Sequence, residues 1–91
     1  MNKTLYLIRH GLSLHNELFY KIGVEAFKHK SVIDSPLIQD GHIQSIELGN
    51  SWENKNKIEL VLVSPLTRTL DTCMNIFGDT DINIECYEFL R

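Results

Sequence analysis

Apolar residues along this chain fall mainly into short continuous runs. Residues 4–8 and residues 60–63 are rich in strand formers, and each run ends at a polar or proline-containing segment. Continuous apolarity is typical of strands that are covered on both faces, as in a parallel sheet between layers of helices. Residues 82–86 alternate between apolar and polar positions and therefore predict a third, less buried strand.

A helical stripe follows the second of these runs. Its apolar positions recur at intervals of three and four residues, at Leu66, Leu70, Met74 and Phe77. Ser64-Pro65 is a suitable entry to such a helix, and Gly78 is expected to end it. The spacing predicts a helix over residues 66–77.

Two further helices are expected before the second strand. Residues 39–52 predict one, whose buried side has three large apolar residues available, namely Ile43, Ile46 and Trp52. Residues 14–30 are expected to be helical in part, with Gly23 as a weak point. The element order predicts a single α/β domain over residues 1–91, a three-layer αβα arrangement with a mainly parallel sheet.

Positively charged residues follow two of the predicted strands. Arg9 and His10 come directly after the first run, Gly11 permits a tight turn there, and Arg68 follows the second run. Ligand sites of open α/β sheets lie beyond the carboxyl ends of the strands, so we expect these side chains to converge. A guanidinium group can donate to two phosphate oxygens, and a neutral imidazole nitrogen is a competent nucleophile. Helix N-termini are expected to add N–H donors for the same anion.

Three ordered segments resemble the histidine phosphatase superfamily, which has the phosphoglycerate mutase-like fold. Residues 9–16 match its signature R-H-G-x-S-x-x-N, and residues 64–72 resemble its second arginine block. Residues 34–44 resemble the intervening segment D-x-P-L-T-x-x-G-x-x-Q. One such motif is a weak signal, whereas three in the family's order span nearly the whole chain.

The resemblance implies a role for five residues. His10 would be the residue that is phosphorylated, and Arg9 and Arg68 would hold the phosphoryl oxygens. Asn16 matches a position that lines the phosphate pocket. Ser13 matches a position close to the phosphate, although a serine there equally suits the N-cap of a helix. The resemblance implies neither a metal nor a cofactor.

The segment between the first two motifs favours one part of the superfamily. Seventeen residues separate Asn16 from Asp34, and His15 directly precedes Asn16. Both features resemble the plant, fungal and protist-type phosphatases more than the mutases. Leu12 and Ile38 depart from the common pattern without removing a phosphate ligand, and the role of His15 stays open.

The resemblance also implies groups that these residues do not provide. Superfamily members have a general-acid carboxylate shortly after the third strand and a second histidine after a later strand. Glu85 is expected within a strand and Glu88 comes slightly early, so neither is expected to be the acid. His29 lies in a charged run and His42 on a predicted helix, so neither has the context of the second histidine.

Three functions are therefore open at this point. The leading one is hydrolysis of phosphomonoesters through a phosphohistidine. The second is a phosphoglycerate mutase-type phosphotransferase, in which a second substrate hydroxyl takes the phosphoryl group. The third is a truncated, non-catalytic phosphate-binding module.

Composition restricts the partners and the compartment. The chain is 43% hydrophobic and 23% charged with a formal net charge of −3, which gives it no overall attraction to nucleic acid or an anionic membrane. A small phosphorylated substrate or phosphate is the expected partner.

Cys73 and Cys86 have no metal or redox spacing and are expected to be buried, reduced thiols. The sequence shows no signal peptide or membrane span, so a cytoplasmic location is expected.

We predict that a protein of these 91 residues has little phosphatase activity and self-associates through an uncovered sheet edge, because that edge and the apolar faces beside it lack covering strands. Size-exclusion chromatography with light scattering and an aryl phosphate assay check this. A monodisperse, cooperatively unfolding monomer with phosphatase turnover would contradict it.

Overall fold

Two parallel strands and three α-helices make up the architecture of the residues that the structure describes. A computed structural model describes residues 3–23 and 34–91. Its elements in chain order are α1 (Leu14–Ile22), α2 (Gln39–Ser51), β1 (Leu60–Val63), α3 (Thr67–Phe77) and β2 (Asn83–Cys86). The register of the parallel pair runs from Leu60 opposite Asn83 to Val63 opposite Cys86, and α3 forms the crossover between the strands. These elements confirm the predicted α/β class and the expected incompleteness of the sheet.

The buried core lies between α3 and the sheet. Its centre is formed by Val63, Cys73, Ile76 and Phe77, and Ile76 is only 1% exposed. Partly buried apolar side chains surround it, namely Trp52, Ile58, Val61, Leu70, Ile82 and Ile84. This arrangement agrees with the sequence of α3, whose apolar side chains are concentrated on one face of the helix. Within the predicted stripe, however, Met74 is 56% exposed, because Thr72 and Cys73 turn inward with Ile76 instead.

Helix α2 packs against α3 through its small residues. Gly41, Ser45 and Gly49 recur every four residues and are buried, whereas Ile43 and Ile46 are 44% and 43% exposed. The prediction that these isoleucines form the buried side is therefore wrong. A Cβ atom on Gly49 would lie 3.0 Å from the Ile76 Cα atom, so the two helix backbones approach too closely for large side chains.

The apolar run at residues 4–8 does not form a strand. Leu5 and Leu7 are 82% and 88% exposed, and Tyr6 packs edge-on against Trp52 with ring centroids 5.4 Å apart. The described sheet contains β1 and β2 alone, so this run does not pair with the outer edge of either strand. The prediction of a first strand here is wrong for these residues.

The other sequence predictions match within a residue or two. Residues 39–51 and 67–77 are helical, residues 60–63 and 83–86 are strands, and Gly78 caps α3 as expected. Helix α1 occupies the first part of the predicted 14–30 segment, and its remainder, with His29, lies outside the described residues. Both cysteines are free, but only Cys73 is buried, since Cys86 ends the exposed edge of β2.

Two glycines, Gly11 and Gly41, allow the loop before α1 to contact the first turn of α2 directly. A Cβ atom on Gly41 would lie 2.0 Å from the Leu12 carbonyl oxygen, and one on Gly11 would lie 2.5 Å from the Gly41 oxygen. The Ile38 N–H donates to that same Leu12 oxygen at 3.0 Å. The loop that follows His10 is therefore held by direct backbone contact.

We expect Gly41→Ala to lower the free energy of unfolding. Overpacking costs about 1–3 kcal/mol, which exceeds the gain of about 1 kcal/mol that alanine brings to a helix interior. Asn50→Ala, on an exposed position of the same helix, is the matched control. Urea denaturation of the two variants measures the difference, and a Gly41→Ala protein as stable as the control would contradict the contact.

Candidate active site

His10 has a defined hydrogen bond at one ring nitrogen. Its Nδ1 atom lies 2.7 Å from the carbonyl oxygen of Gly11. A carbonyl oxygen can only accept, so Nδ1 carries the hydrogen and donates it. In the neutral ring the lone pair is therefore on Nε2, the atom free to act as a nucleophile.

The loop after His10 is tied to both long helices. The Gly11 N–H donates to Thr72 Oγ1 at 2.9 Å, and that hydroxyl donates to the Arg68 carbonyl oxygen at 2.8 Å. The Leu12 N–H donates to Gln44 Oε1 at 3.0 Å. Both Thr72 and Gln44 lie within the family-like motifs, but the sequence alone did not indicate that they hold this loop.

Arg68 lies in the first turn of α3 with part of its charged group buried. Its Nε and Nη1 atoms are shielded from solvent and have no hydrogen-bond partner within residues 3–23 and 34–91. Buried guanidinium nitrogens without partners are costly. The side chain is therefore suited to an external acceptor.

His15 lies beside His10 and within electrostatic reach of both arginines. The ring centroids of His10 and His15 are 5.6 Å apart. Burial lowers the pKa of His15, and the charges of Arg68, His10 and Arg9 lower it further, in that order. The three residues that the sequence predicted to converge thus all act electrostatically on one side chain, His15, and Arg9 is the most exposed of them.

A shallow cleft adjoins this group. Its volume is about 120 Å³, and its lining includes Arg9, His10 and Thr72 together with residues of α2. A cleft of this size accommodates a phosphoryl group but not a large ligand. The rest of any substrate would extend into solvent or against other parts of the protein.

Ser13 and Asn16 form a compact hydrogen-bonded unit at the start of α1. Asn16 Oδ1 accepts from the Ser13 N–H at 3.1 Å and from the Ser13 hydroxyl at 2.9 Å. Ser13 is fully buried, with 0% exposure. The geometry shows Ser13 acting at the helix N-cap, and direct contact of Ser13 with phosphate stays a prediction.

Three of the first N–H groups of α1 and α3 already donate to protein acceptors. The Leu14 N–H donates to the Pro36 oxygen at 2.9 Å, and the His15 N–H donates to Ser35 Oγ at 3.4 Å. At α3 the carboxylate of Asp34 accepts from the Thr67 N–H at 2.7 Å and from its hydroxyl at 2.8 Å. These three N–H groups therefore donate within the protein, and binding of an anion by helix N-termini stays a prediction for the other first-turn amides.

Two carboxylates, Glu85 within β2 and Glu88 just after it, each have a protein partner. Glu85 accepts from the Tyr87 hydroxyl at 2.5 Å and from the Asn83 amide at 3.0 Å. Glu88 pairs with Arg91 at 2.8 Å. Within the described ranges no cluster of three or more acidic, histidine or cysteine residues could hold a metal, and no helix is long and apolar enough to span a membrane.

Comparisons with known proteins agree with this geometry. Residues 5–91 match the family model of the histidine phosphatase superfamily, branch 1. The chain belongs to this superfamily. It is 39% identical over 82 residues to phosphoglycerate mutase-like protein 1 of Arabidopsis thaliana, a match covering 84% of this chain and 28% of that protein. Phosphoglycerate mutase-like protein 2 of the same plant is 37% identical over 86 residues, covering 84% of this chain and 23% of that protein.

A solved structure of another protein has a fold similar to that of this chain. The phosphoserine phosphatase of Entamoeba histolytica, solved with 3-phosphoglyceric acid, superposes with a TM-score of 0.65 and 26% identity. The match covers 90% of this chain and 36% of that one. The chain thus spans about a quarter of the curated relatives' length.

The cap of α3 predicts a pH dependence of stability. Hydrogen bonds from Thr67 lower the pKa of Asp34 below its ordinary value of 3.8, and the charge of Arg68 adds to this. The folded protein therefore binds the Asp34 proton more weakly than the unfolded chain. The stabilisation is present above about pH 4 and is lost as the pH falls through the lower folded value.

We expect the stability of Asp34→Asn to fall less steeply with decreasing pH than that of the unaltered protein. Asp81→Asn removes an exposed carboxylate before β2 and is the matched control. Thermal unfolding between about pH 6 and pH 2.5 measures the slope. An unchanged slope in Asp34→Asn would show that the cap carries no pH-dependent stability.

Proposed function

We propose that this chain carries the phosphoryl-accepting part of an active site that hydrolyses small phosphomonoesters through a phosphohistidine at His10. The observation that carries the proposal is the Arg68 guanidinium, whose Nε and Nη1 atoms are buried without a partner in the described residues. A phosphoryl group placed between Arg68 and His10 would accept from both nitrogens. Charge-assisted bonds of this kind are stronger than neutral ones, so a bound anion would satisfy the two buried nitrogens that the described residues leave without an acceptor.

The proposed reaction begins at His10 Nε2. Its lone pair attacks phosphorus, a P–N bond forms, and the P–O bond to the leaving group breaks. Arg9 and Arg68 bind the equatorial oxygens, where negative charge is concentrated, and the Asn16 amide adds a neutral donor. The Nδ1–H bond to Gly11 keeps the ring oriented and stabilises the positive charge that develops on it. Water then attacks phosphorus, the P–N bond breaks, and phosphate leaves.

We propose that these 91 residues turn over alkyl phosphomonoesters slowly, because transfer to His10 expels an alkoxide and no described carboxyl group lines the cleft to protonate it. The departing alkoxide needs a proton, and positioned acid catalysis contributes about 10²–10⁴-fold. Glu85 and Glu88 already have partners, Tyr87 and Arg91, and neither is placed at the cleft. An aryl phosphate has a good leaving group and therefore depends least on the acid, which makes it the appropriate probe.

The long segment between Asn16 and Asp34 and the phosphatase with the same fold support hydrolysis over mutase chemistry. The phosphoglycerate bound in that solved protein supports a small phosphorylated acid as the class of substrate. We propose this class for the whole protein. The mutase-like names of the plant relatives keep phosphoryl transfer to a second hydroxyl as the alternative that the assay must separate.

We expect the chain to become labelled at His10 when it is incubated with a ³²P-labelled aryl phosphate. The label should be acid-labile and stable to base, and it should be lost in His10→Ala. His42→Gln is the matched control, since it removes another imidazole but keeps a hydrogen-bonding group opposite Asn75. Release of label to water supports hydrolysis, whereas release only after addition of 3-phosphoglycerate supports the mutase alternative. No label on the unaltered chain would contradict the proposed function and leave a non-catalytic phosphate-binding module.

We expect Arg68→Met to have opposite effects on stability and on anion binding. Replacing an unpartnered buried charge by an apolar chain of similar length should leave the phosphate-free protein at least as stable. Loss of two charge-assisted hydrogen bonds should weaken binding of inorganic phosphate by about tenfold or more. Thermal shift with and without phosphate measures both quantities. A destabilised variant with unchanged phosphate binding would contradict the assignment.

A further inference from the structure

His15 is the polar side chain of this region that the proposed function does not use. Its ring lies between the buried serines and Asn16. Nδ1 is 2.5 Å from Ser13 Oγ and 3.2 Å from Ser35 Oγ, and Nε2 is 3.4 Å from Asn16 Nδ2. Ser13 and Ser35 are both 0% exposed, so the contacts on the Nδ1 side are shielded from water.

The direction of each hydrogen bond follows from one backbone donor. The Ser13 N–H must donate, so the Asn16 atom it contacts at 3.1 Å is the amide oxygen and the other atom is the NH2 group. An amide oxygen only accepts, so the Ser13 hydroxyl donates its hydrogen to Asn16 Oδ1. The Ser13 oxygen is then left to accept from His15 Nδ1.

The three side chains therefore form a closed cycle. His15 Nδ1–H donates to Ser13, Ser13 donates to Asn16 Oδ1, and Asn16 Nδ2 donates to the lone pair on His15 Nε2. The last contact, at 3.4 Å, is the longest of the three. The cycle is consistent only with neutral His15 carrying its hydrogen on Nδ1. It uses one hydrogen of the Asn16 NH2 group and leaves the second for another acceptor.

Protonation of His15 would break the cycle at Asn16. An Nε2–H group would then face the Asn16 NH2 group, and two donors repel. The charges acting on His15 are Arg9 and His10 from the N-terminal segment and Arg68 from α3. Each of them, like burial, lowers the pKa of His15 and favours the neutral ring. Of the neighbouring acids, Asp34 is bonded to Thr67 and Glu17 is paired with Lys21.

We propose that His15 is a positioning residue, which holds the Asn16 amide with its free N–H available to the phosphoryl oxygens through the neutral Nδ1–H tautomer. This inference rests on the proposed function for the identity of the anion. The hydrogen-bonded cycle itself stands on the distances alone. Ser35 links it to the segment before α2, so the Asn16 orientation depends on the packing of residues 34–37 against the loop.

Long-range ¹H–¹⁵N NMR of the imidazoles tests the cycle directly. We expect His15 to show a protonated Nδ1 and an unprotonated Nε2 at neutral pH, and to titrate below 6.5, the ordinary value for histidine. The Asn16 side-chain NH2 signals should shift or broaden in His15→Phe, which keeps a ring but has no nitrogen. An Nε2–H tautomer, or Asn16 signals unchanged in that variant, would overturn the inference even if phosphate binds.

A double-mutant cycle with inorganic phosphate tests the function of the network. We expect His15→Phe to weaken phosphate binding between about threefold and tenfold. In an Asn16→Ala background the same change should alter affinity by less than about twofold, because no amide remains to be positioned. Equal effects in both backgrounds would show that His15 acts through general stability and would overturn the inference.

These outcomes separate this inference from the proposed function. The NMR result and the coupling between His15 and Asn16 decide whether His15 positions the amide. A chain with the expected tautomer that binds no phosphate would contradict the proposed function, and with it the positioning role.

Discussion

Among the described residues, the site depends on one guanidinium group that is buried without hydrogen bonds at two of its nitrogens. Part of the Arg68 guanidinium is buried in the first turn of α3 without a partner among the described residues, although a buried charge normally requires one. Arg9 adds positive charge to the same region, since it and Arg68 both lower the pKa of His15. The Asp34 carboxylate interacts favourably with the Arg68 charge, but its hydrogen bonds go to Thr67, so the two buried guanidinium nitrogens have no acceptor in the described residues. A phosphoryl dianion would offset this charge, and the chain's overall charge of −3 makes the positive site a local feature.

Backbone packing rather than free amides holds the groups around that charge. The loop after His10 lies directly on α2 because Gly11 and Gly41 leave no room for side chains between them. Its amides donate to Thr72 and Gln44, and the first amides of α1 donate to the segment before α2. We therefore assign binding of the anion to side chains. Substitution of Arg68 can then change the affinity for the anion while the backbone contacts of the loop stay in place.

Sequence reasoning predicted the convergence of Arg9, His10 and Arg68, because each follows an apolar run at a recognisable spacing. It could not predict that Ile43 and Ile46 are exposed, since hydrophobicity does not report how closely two helix backbones approach. It also expected a strand over residues 4–8, but strand formation requires a neighbour, and pairing is not a local property. It could not predict the contact between His15 and Ser35 either, because these residues are brought together by the bridge between Ser13 and Leu37. Local motifs therefore indicated the chemistry, whereas long-range packing decided which donors remain available.

A crystal structure grown with orthovanadate, which mimics a transferring phosphoryl group, tests the central claim most directly. The account predicts vanadium bonded to His10 Nε2, with vanadate oxygens accepting from Arg68 Nε and Nη1. Vanadate bound elsewhere, or an Arg68 guanidinium turned away from His10 toward a protein acceptor, would contradict it.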